Sequence, residues 1–65
     1  MLIFVNGEAQ TIDPTTLLGY LEAIAIDPRR VAVELNMDIL PKGEYAVTNL
    51  KDGDRIEIVH FVGGG

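Results

Sequence analysis

Short apolar runs alternate with polar turns along the chain, a pattern that predicts several strands. Residues 1–5 form an apolar run typical of a buried strand, and Asn6-Gly7 is the dipeptide best suited to a tight hairpin turn. We therefore predict a return strand over residues 9–12. The polar residues 13–16 then separate this hairpin from the next element.

Apolar residues next recur at helical spacing. The positions that share one stripe of a helix are Leu17, Leu18, Leu21, Ile24 and Ala25. Thr15 or Thr16 can cap the first turn, and Asp27-Pro28 ends the helix. We therefore predict one helix of about ten residues. Gly19 costs this helix about 1 kcal/mol relative to alanine, which a packed apolar stripe offsets.

The second half of the chain predicts further strands. Residues 31–35 are rich in β-branched side chains and predict a strand, and residues 39–40 predict a shorter one that Pro41 ends. Residues 42–50 are mostly irregular, and their expected core contacts are Tyr45, Val47 and Leu50. A polar turn over residues 51–54, with Gly53 at the position of positive φ, precedes a last strand over residues 55–62.

This order of elements predicts an α+β fold, in which one helix covers one face of a mixed sheet of about four to five strands. The first and last strands are the most apolar, so we place them side by side at the centre of the sheet. Both of their faces are apolar, and one helix covers only one face. We therefore expect a contiguous, solvent-facing docking patch formed by Leu2, Phe4, Val59 and Phe61. Singly exposed apolar residues are the ordinary alternative.

Composition and charge narrow the classes of function. The 65 residues include ten acidic and five basic side chains, and the formal charge of −5 argues against binding a nucleic acid and favours a neutral or basic partner surface. No apolar run approaches the roughly 20 residues of a membrane-spanning helix, and we see no signal peptide, so we expect a cytoplasmic protein. The absence of cysteine excludes disulfides, thiolate nucleophiles and cysteine-bearing metal sites.

Three glycines follow the last predicted strand directly. Beyond a domain of residues 1–61, a flexible tail of residues 62–65 reaches roughly 13–14 Å past the strand. Such a tail can enter a narrow partner site because glycine has no side chain and few backbone restrictions. The residues expected to thread into that site are Val62, Gly63 and Gly64. The carboxylate of Gly65 would then be activated and attacked by a nucleophile. An incidental frayed end is the alternative.

Four blocks of the sequence carry a family resemblance. They are the opening strand with Asn6-Gly7, the leucine-rich helix, DPRRVAVELN at residues 27–36, and DGDRIEIVHFVGGG at residues 52–65. Together they span the chain, which resembles the ThiS family, the small sulfur carriers of thiamine biosynthesis. That family belongs to the ubiquitin-like β-grasp group, so the resemblance implies a β-grasp fold.

The resemblance also implies that the chain is a protein cosubstrate and not an enzyme. A ThiF-type E1-like adenylyltransferase would use MgATP to adenylate Gly65, so that ATP and magnesium belong to this partner and the chain has no cofactor or metal of its own. Sulfur from a donor such as a cysteine desulfurase would replace AMP to give a thiocarboxylate. A ThiG-type thiazole synthase would receive the sulfur. The lack of cysteine agrees with this role, because a carrier without a thiol can hold sulfur only at its terminal carbonyl.

Two positions depart from the usual pattern of that family. Ala25 stands where glycine usually ends the helix, and a left-handed conformation there costs alanine on the order of 1 kcal/mol. Asn36-Met37-Asp38 replaces the more usual Asn-Gly turn, so the geometry of this hairpin is in question.

Other polar residues support weaker hypotheses. His60 is the only imidazole, and its alternation with Ile56 and Ile58 predicts a partly buried or rim position and no catalytic role, because no partner would orient it. The acidic residues fit a turn and outward strand positions better than a metal site; they are Asp52, Asp54, Glu57 and Glu34. We expect Glu57, and more weakly Asp52 and Glu44, to contact a basic groove on the activating enzyme.

Two further functions stay open at this point. In the first, the chain is a sulfur carrier for molybdopterin or another pathway. In the second, it is a non-covalent β-grasp interaction module in which the glycine tail is incidental. Carriers for molybdopterin are usually longer, so the length of 65 residues favours thiazole formation.

Overall fold

The computed structural model describes residues 1–62, which form one five-stranded sheet with a helix on one face. The strands are β1 (Leu2–Val5), β2 (Glu8–Thr11), β3 (Val31–Leu35), β4 (Asp38–Leu40) and β5 (Arg55–His60), and the helix is α1 (Leu17–Ala23). Short 3₁₀ turns occupy Pro28–Arg30 and Lys42–Glu44. The predicted α+β architecture is confirmed. Residues 63–65 lie outside the described residues, so the predicted division into a domain and a tail stays a prediction.

The strand order β2-β1-β5-β3-β4 places the first and last strands together at the centre of the sheet, as predicted. β1 and β5 are parallel, with Phe4 opposite Arg55 and Val5 opposite Ile56. The pairs β1–β2, β3–β4 and β3–β5 are antiparallel. Within residues 1–62, no helix has the length and hydropathy needed to cross a lipid bilayer.

Alternation along the strands selects the residues that face the helix. The buried strand residues on this face are Ile3, Val5, Val31, Val33, Ile56 and Ile58. They form one cluster with the helix residues Leu17, Tyr20 and Leu21. Ile24 and Ala25 are exposed, so the predicted apolar stripe is wrong at its end, and Tyr20 takes a core position that the stripe did not include.

Both ends of α1 are closed by specific hydrogen bonds. The Thr16 hydroxyl accepts a bond of 3.0 Å from the Gly19 N–H, which decides between the two predicted caps. At the other end Ala25 has a φ of 61°, its N–H donates to the Glu22 carbonyl at 3.1 Å, and the Ile26 N–H donates to the Leu21 carbonyl at 2.9 Å. This is a Schellman motif with alanine in the left-handed position. The helix therefore has seven residues instead of about ten.

Packing explains why glycine occupies position 19 of the helix, which helix propensity alone does not. A β-carbon on Gly19 would overlap the hydroxyl oxygen of Thr15 and lie 3.3 Å from that of Thr16. Glycine therefore leaves room for the two threonine side chains at the start of the helix.

The long connection after β4 packs on the start of α1. The Leu17 and Leu18 N–H groups, which have no partner inside the helix, donate to the carbonyls of Thr48 and Tyr45, both at 2.9 Å. Tyr45 and Leu50 are buried as predicted, and burial raises the pKa of the Tyr45 phenol although its bond to the Val33 backbone opposes this. Val47 is exposed, so its predicted core contact is wrong.

Side-chain hydrogen bonds extend the pairing of β1 with β5 at both ends. Beyond β1, the Asn6 amide accepts a bond of 2.7 Å from the Ile58 N–H and donates one of 3.3 Å to the Ile58 carbonyl. Before β5, the Asp52 carboxylate accepts a bond of 2.7 Å from the Leu2 N–H, and the Gly53 N–H donates to the Leu2 carbonyl at 2.7 Å. These bonds lock the register of the two central strands.

Several strand boundaries differ from the prediction by one or two residues. β2 begins and ends one residue earlier than expected because Val5 pairs with Glu8 directly after the Asn6-Gly7 turn. β4 includes Asp38, which pairs with Leu35. β5 ends at His60 instead of residue 62, and Val62 is 98% exposed.

Ala25 and Met37 occupy left-handed conformations that are costly for residues other than glycine and asparagine, and replacing them with glycine should stabilise the fold. Met37 has a φ of 75° with 86% of its surface exposed, and Ala25 has a φ of 61°. We expect Met37→Gly and Ala25→Gly each to raise the free energy of unfolding by about 1 kcal/mol, measured by urea denaturation. The control Ala23→Gly, at the last residue of α1, should lower it, because glycine disfavours the helical conformation. A loss of stability in both test variants would contradict this account.

Asn6 also has positive φ, but we expect replacement by glycine to destabilise the fold there, because the Asn6 side chain makes hydrogen bonds. Asn6 has a φ of 49°, so glycine fits the backbone there, but Asn6→Gly removes both bonds to Ile58. We expect a loss of about 1–2 kcal/mol in the free energy of unfolding. Hydrogen exchange at the Ile58 amide should accelerate by more than at the Val33 amide. Equal acceleration at the two amides would show that the Asn6 amide does not hold β5 specifically.

Candidate functional site

The face of the sheet opposite α1, here called the outer face, contains the four apolar residues predicted as a docking patch. Val59 and Phe61 are 57% and 58% exposed, Leu2 is also exposed, and Phe4 is half-buried. All four side chains lie at outward positions because their inward neighbours along the chain include Ile3, Val5 and Ile58. The structure therefore places each of them on the predicted face.

The four residues do not form one contiguous patch, so that part of the prediction is wrong. The parallel register places Phe4 beside Arg55, at the start of β5. Val59 lies four residues beyond Arg55 on β5, which corresponds to roughly 13 Å along the strand. The outer face thus has a lower patch of Leu2 and Phe4 and an upper patch of Val59 and Phe61. Sequence alternation identified the face but not the relative register of β1 and β5.

A cation lies over one aromatic ring in each patch. The Arg55 guanidinium is 4.9 Å from the centre of the Phe4 ring, and the Lys42 ammonium is 5.2 Å from the centre of the Phe61 ring. Lys42 also donates a hydrogen bond of 2.6 Å to the Val31 carbonyl. The attraction between a cation and an aromatic face therefore holds both rings against the protein.

The upper patch leads directly to the end of the described chain. The Phe61 N–H donates to the Arg30 carbonyl at 2.9 Å, which continues the pairing of β5 with β3 one residue beyond His60. Val62 follows with almost no contact. Gly63, Gly64 and Gly65 lie outside the described residues, and their expected threading and modification stay predictions.

The connection beside this end of β5 is rigidified by an ion pair. Asp27 accepts a hydrogen bond of 2.9 Å from the Arg29 N–H and forms an ion pair of 2.9 Å with the Arg29 guanidinium. The Arg29 side-chain bond is the main reason that the pKa of Asp27 falls to about 2, and the Arg29 N–H bond adds to the effect. Asp27 is therefore ionised at neutral pH and holds the turn that precedes β3.

Between the two patches, acidic residues occupy the centre of the outer face. Glu34 on β3 lies directly opposite Glu57 on β5, and both are exposed. Beside them on β4 is Ile39, which is 79% exposed. Period-two alternation in residues 31–35 could have identified Glu34 as outward-facing, whereas the proximity of Ile39 depends on how β4 pairs with β3.

Several other candidate residues have structural positions. Asp54 is buried and accepts bonds from the Asn36 amide at 3.0 Å and the Lys51 N–H at 2.8 Å, so it holds the turn before β5. Asp52 binds the Leu2 N–H, and its carboxylate is thus engaged within the fold. Among residues 1–62, no group of three or more His, Cys, Asp or Glu side chains is placed to hold a metal ion.

His60 is exposed at the last position of β5, so the partly buried position is wrong and the rim position is the one that agrees with the structure. It pairs with Val31 at the end of β5. Its exposure places the imidazole in solvent at the same end of the sheet as the upper patch.

A groove of about 650 Å³ lies between β2 and α1, away from the outer face. The Tyr20 hydroxyl in its wall donates a bond of 2.5 Å to the Gln10 side chain. Burial raises the pKa of Tyr20, although the bond to Gln10 opposes this, so the phenol stays protonated at neutral pH. Two of the polar side chains in the wall, Tyr20 and Gln10, are thus engaged with each other.

Comparison with known proteins connects this geometry to a family. A model described as the ThiS family matches residues 3–65. The chain is 43% identical over 53 residues to the sulfur carrier protein ThiS of Bacillus subtilis, covering 82% of this chain and 80% of that protein. Proteins so named are carriers, which are substrates of enzymes and not enzymes themselves.

A longer relative and a solved structure extend the comparison. The chain is 42% identical over 66 residues to a thiazole synthase of Paramagnetospirillum magneticum, a match that covers all of this chain but only 20% of that protein. The crystal structure of the thiamine biosynthesis protein ThiS from Geobacter metallireducens superposes with a TM-score of 0.86 at 35% identity, covering 100% of both chains. This similarity confirms the β-grasp fold, and with the family match it shows that the chain belongs to the ThiS family.

Proposed function

We propose that this chain carries sulfur as a thiocarboxylate on Gly65 and donates it to the thiazole of thiamine. The observation that carries the proposal is the match of the ThiS family across residues 3–65, which includes the glycine end of the sequence. The absence of cysteine supports it, because the chain offers no thiol on which sulfur could be carried. The chain therefore acts as a consumed and regenerated cosubstrate.

Charging takes place in two substitutions at the chain terminus. A ThiF-type E1-like enzyme binds MgATP, and an oxygen of the Gly65 carboxylate attacks the α-phosphate, so that pyrophosphate leaves and an acyl adenylate forms. A sulfur nucleophile from a donor such as a cysteine desulfurase then attacks the acyl carbon, and AMP leaves. If the donor is a persulfide, a reductant cleaves its S–S bond to release the thiocarboxylate. Activation converts one difficult substitution into two easier ones.

The enzyme that receives the sulfur is a ThiG-type thiazole synthase. The 42% identity with part of a thiazole synthase supports this partner, since a unit similar to this chain occurs there within the same polypeptide. ATP and magnesium belong to the activating enzyme, and the carrier has no cofactor of its own. We assign the carrier and its partners to the cytoplasm.

The described surface suits a carrier that must dock beside its reacting end. The upper patch lies next to Val62, where the described chain ends. Four extended residues span at most roughly 13–14 Å, so a partner that covers Val59 and Phe61 is within reach of the carboxylate on which the proposal rests. The formal charge of −5 favours a neutral or basic partner surface. Docking and delivery thus use adjacent parts of the molecule.

The first prediction of this proposal concerns the terminus. We expect deletion of Gly65 to abolish ATP-dependent activation and Gly65→Ala to slow it by about 100-fold, because a misplaced carboxylate reacts poorly. The measurements are pyrophosphate release with the ThiF-type enzyme and mass spectrometry of the C-terminal fragment. Fragment analysis is necessary because exchange of oxygen for sulfur resembles methionine oxidation in mass, and the chain contains Met1 and Met37.

The matched control for the terminus is Gly43→Ala, a surface glycine whose added β-carbon meets no atom within 4 Å. It should be charged at the normal rate. Charging of the Gly65→Ala variant at that same rate would contradict the proposed role of the glycine end. Rescue of a thiamine auxotroph by this chain, and not of a molybdopterin-deficient strain, is expected for the thiazole pathway.

The second prediction concerns the docking face. Val59→Asp and Phe4→Asp place a charge in the upper and lower patches, and we expect the fold to persist because neither residue belongs to the buried core. Affinity for the activating or receiving enzyme should fall by about tenfold or more, measured by calorimetry. The control Val47→Asp changes an exposed valine in the connection between β4 and β5, away from the outer face.

Comparing the two variants distinguishes the patches. Weakening by Val59→Asp alone would assign docking to the upper patch, and weakening by Phe4→Asp alone would assign it to the lower one. Unchanged affinity of both variants for both enzymes would rule out the docking face.

A further inference from the structure

The centre of the outer face carries two carboxylates of the same charge in direct opposition. Glu34 and Glu57 are cross-strand partners in the antiparallel pair β3–β5, and both are exposed. Side chains directly opposite each other on such a pair have β-carbons about 4.5–5.5 Å apart, so the two charges repel each other.

No basic side chain of the described residues neutralises this pair. The ion pairs within residues 1–62 are those of Asp27 with Arg29 and Arg30. Arg55 is the nearest cation along β5, but its guanidinium lies over the Phe4 ring. The Glu34–Glu57 pair therefore presents uncompensated negative charge to solvent.

Exposed apolar side chains flank the acidic pair. Ile39 on β4 lies opposite Glu34 on β3. Val59 lies two residues beyond Glu57 on the same face of β5. Half-buried Ala32 lies opposite Val59. A surface that covers this region must supply apolar contacts around one cationic position.

We propose that the outer face docks onto a protein surface that inserts one arginine or lysine side chain between the carboxylates of Glu34 and Glu57, within apolar contacts to Ile39 and Val59. An arginine suits the position best, because its planar group offers five N–H donors and can bind two neighbouring carboxylates. This inference rests on the proposed function, and the occupant it names is the sulfur-receiving thiazole synthase. The similarity to part of a thiazole synthase supports that choice of partner.

The arrangement has a consequence that separates docking from a structural role. Removing one charge relieves repulsion in the free chain and should stabilise it. The same change removes half of the binding site for the partner's cation and should weaken the complex. A pair that served only the fold would not produce opposite effects on stability and affinity.

The test compares Glu34→Gln, Glu57→Gln and the double variant with the control Glu22→Gln, an exposed glutamate on α1. Each variant is examined as the full chain. Thermal unfolding of the free chain should show an increase in Tm of about 1–5 °C for each single test variant. Titration calorimetry with purified thiazole synthase should show about tenfold weaker binding for the double variant, and Glu22→Gln should bind like the original chain.

Salt dependence provides a second readout. Because charge attraction is screened by salt, the affinity of the original chain should fall between low and high salt more steeply than that of the double variant. Equal affinity and equal salt dependence of the original chain and the double variant would overturn the inference. In that case the proposed function would stand, since the synthase still binds the carrier. If the original chain fails to bind the synthase and to transfer sulfur to it, the proposed receiving enzyme is wrong, and the inference fails with it.

Discussion

The parallel pairing of β1 with β5 is the contact on which the rest of the structure depends. It joins the beginning of the chain to its end, and the Asn6 amide and the Asp52 carboxylate extend it on either side through bonds of 2.7 Å. Parallel neighbours require a long crossover connection, which here contains α1 and the β3–β4 hairpin. The register of this one pair therefore determines which face of β5 meets the helix and which residues point outward.

That register also sets the arrangement of side chains on the outer face. Placing Phe4 beside Arg55 moves the lower patch to the start of β5, and the Glu34–Glu57 pair lies between it and the upper patch. The end of β5 then carries the upper patch to the point where the chain leaves the sheet. The proposed docking residues Val59 and Phe61 and the end of the described chain at Val62 are therefore adjacent in this topology.

Within residues 1–62, Ala25 and Met37 have left-handed conformations in segments that connect the regular elements. Ala25 ends α1 in a left-handed conformation, and Met37 occupies the second left-handed position of the β3–β4 turn. Each lies next to an element whose hydrogen bonds and buried contacts hold it in place. Such strain of about 1 kcal/mol is tolerable where tertiary contacts determine the backbone path, and it explains why the fold persists without glycine at these sites.

The sequence by itself determined the two central strands, the helix cap at Thr16 or its neighbour, and the inward and outward faces of the sheet. These follow from periodicity and from the local chemistry of turns, which act over a few residues. Family resemblance supplied the expected role of Gly65. Only the tertiary structure decided that Leu2 and Phe4 lie apart from Val59 and Phe61, that Val47 is exposed, and that Gly19 makes room for the threonines. Those features depend on strand register and on contacts between distant segments, which a local pattern of apolar and polar residues does not specify.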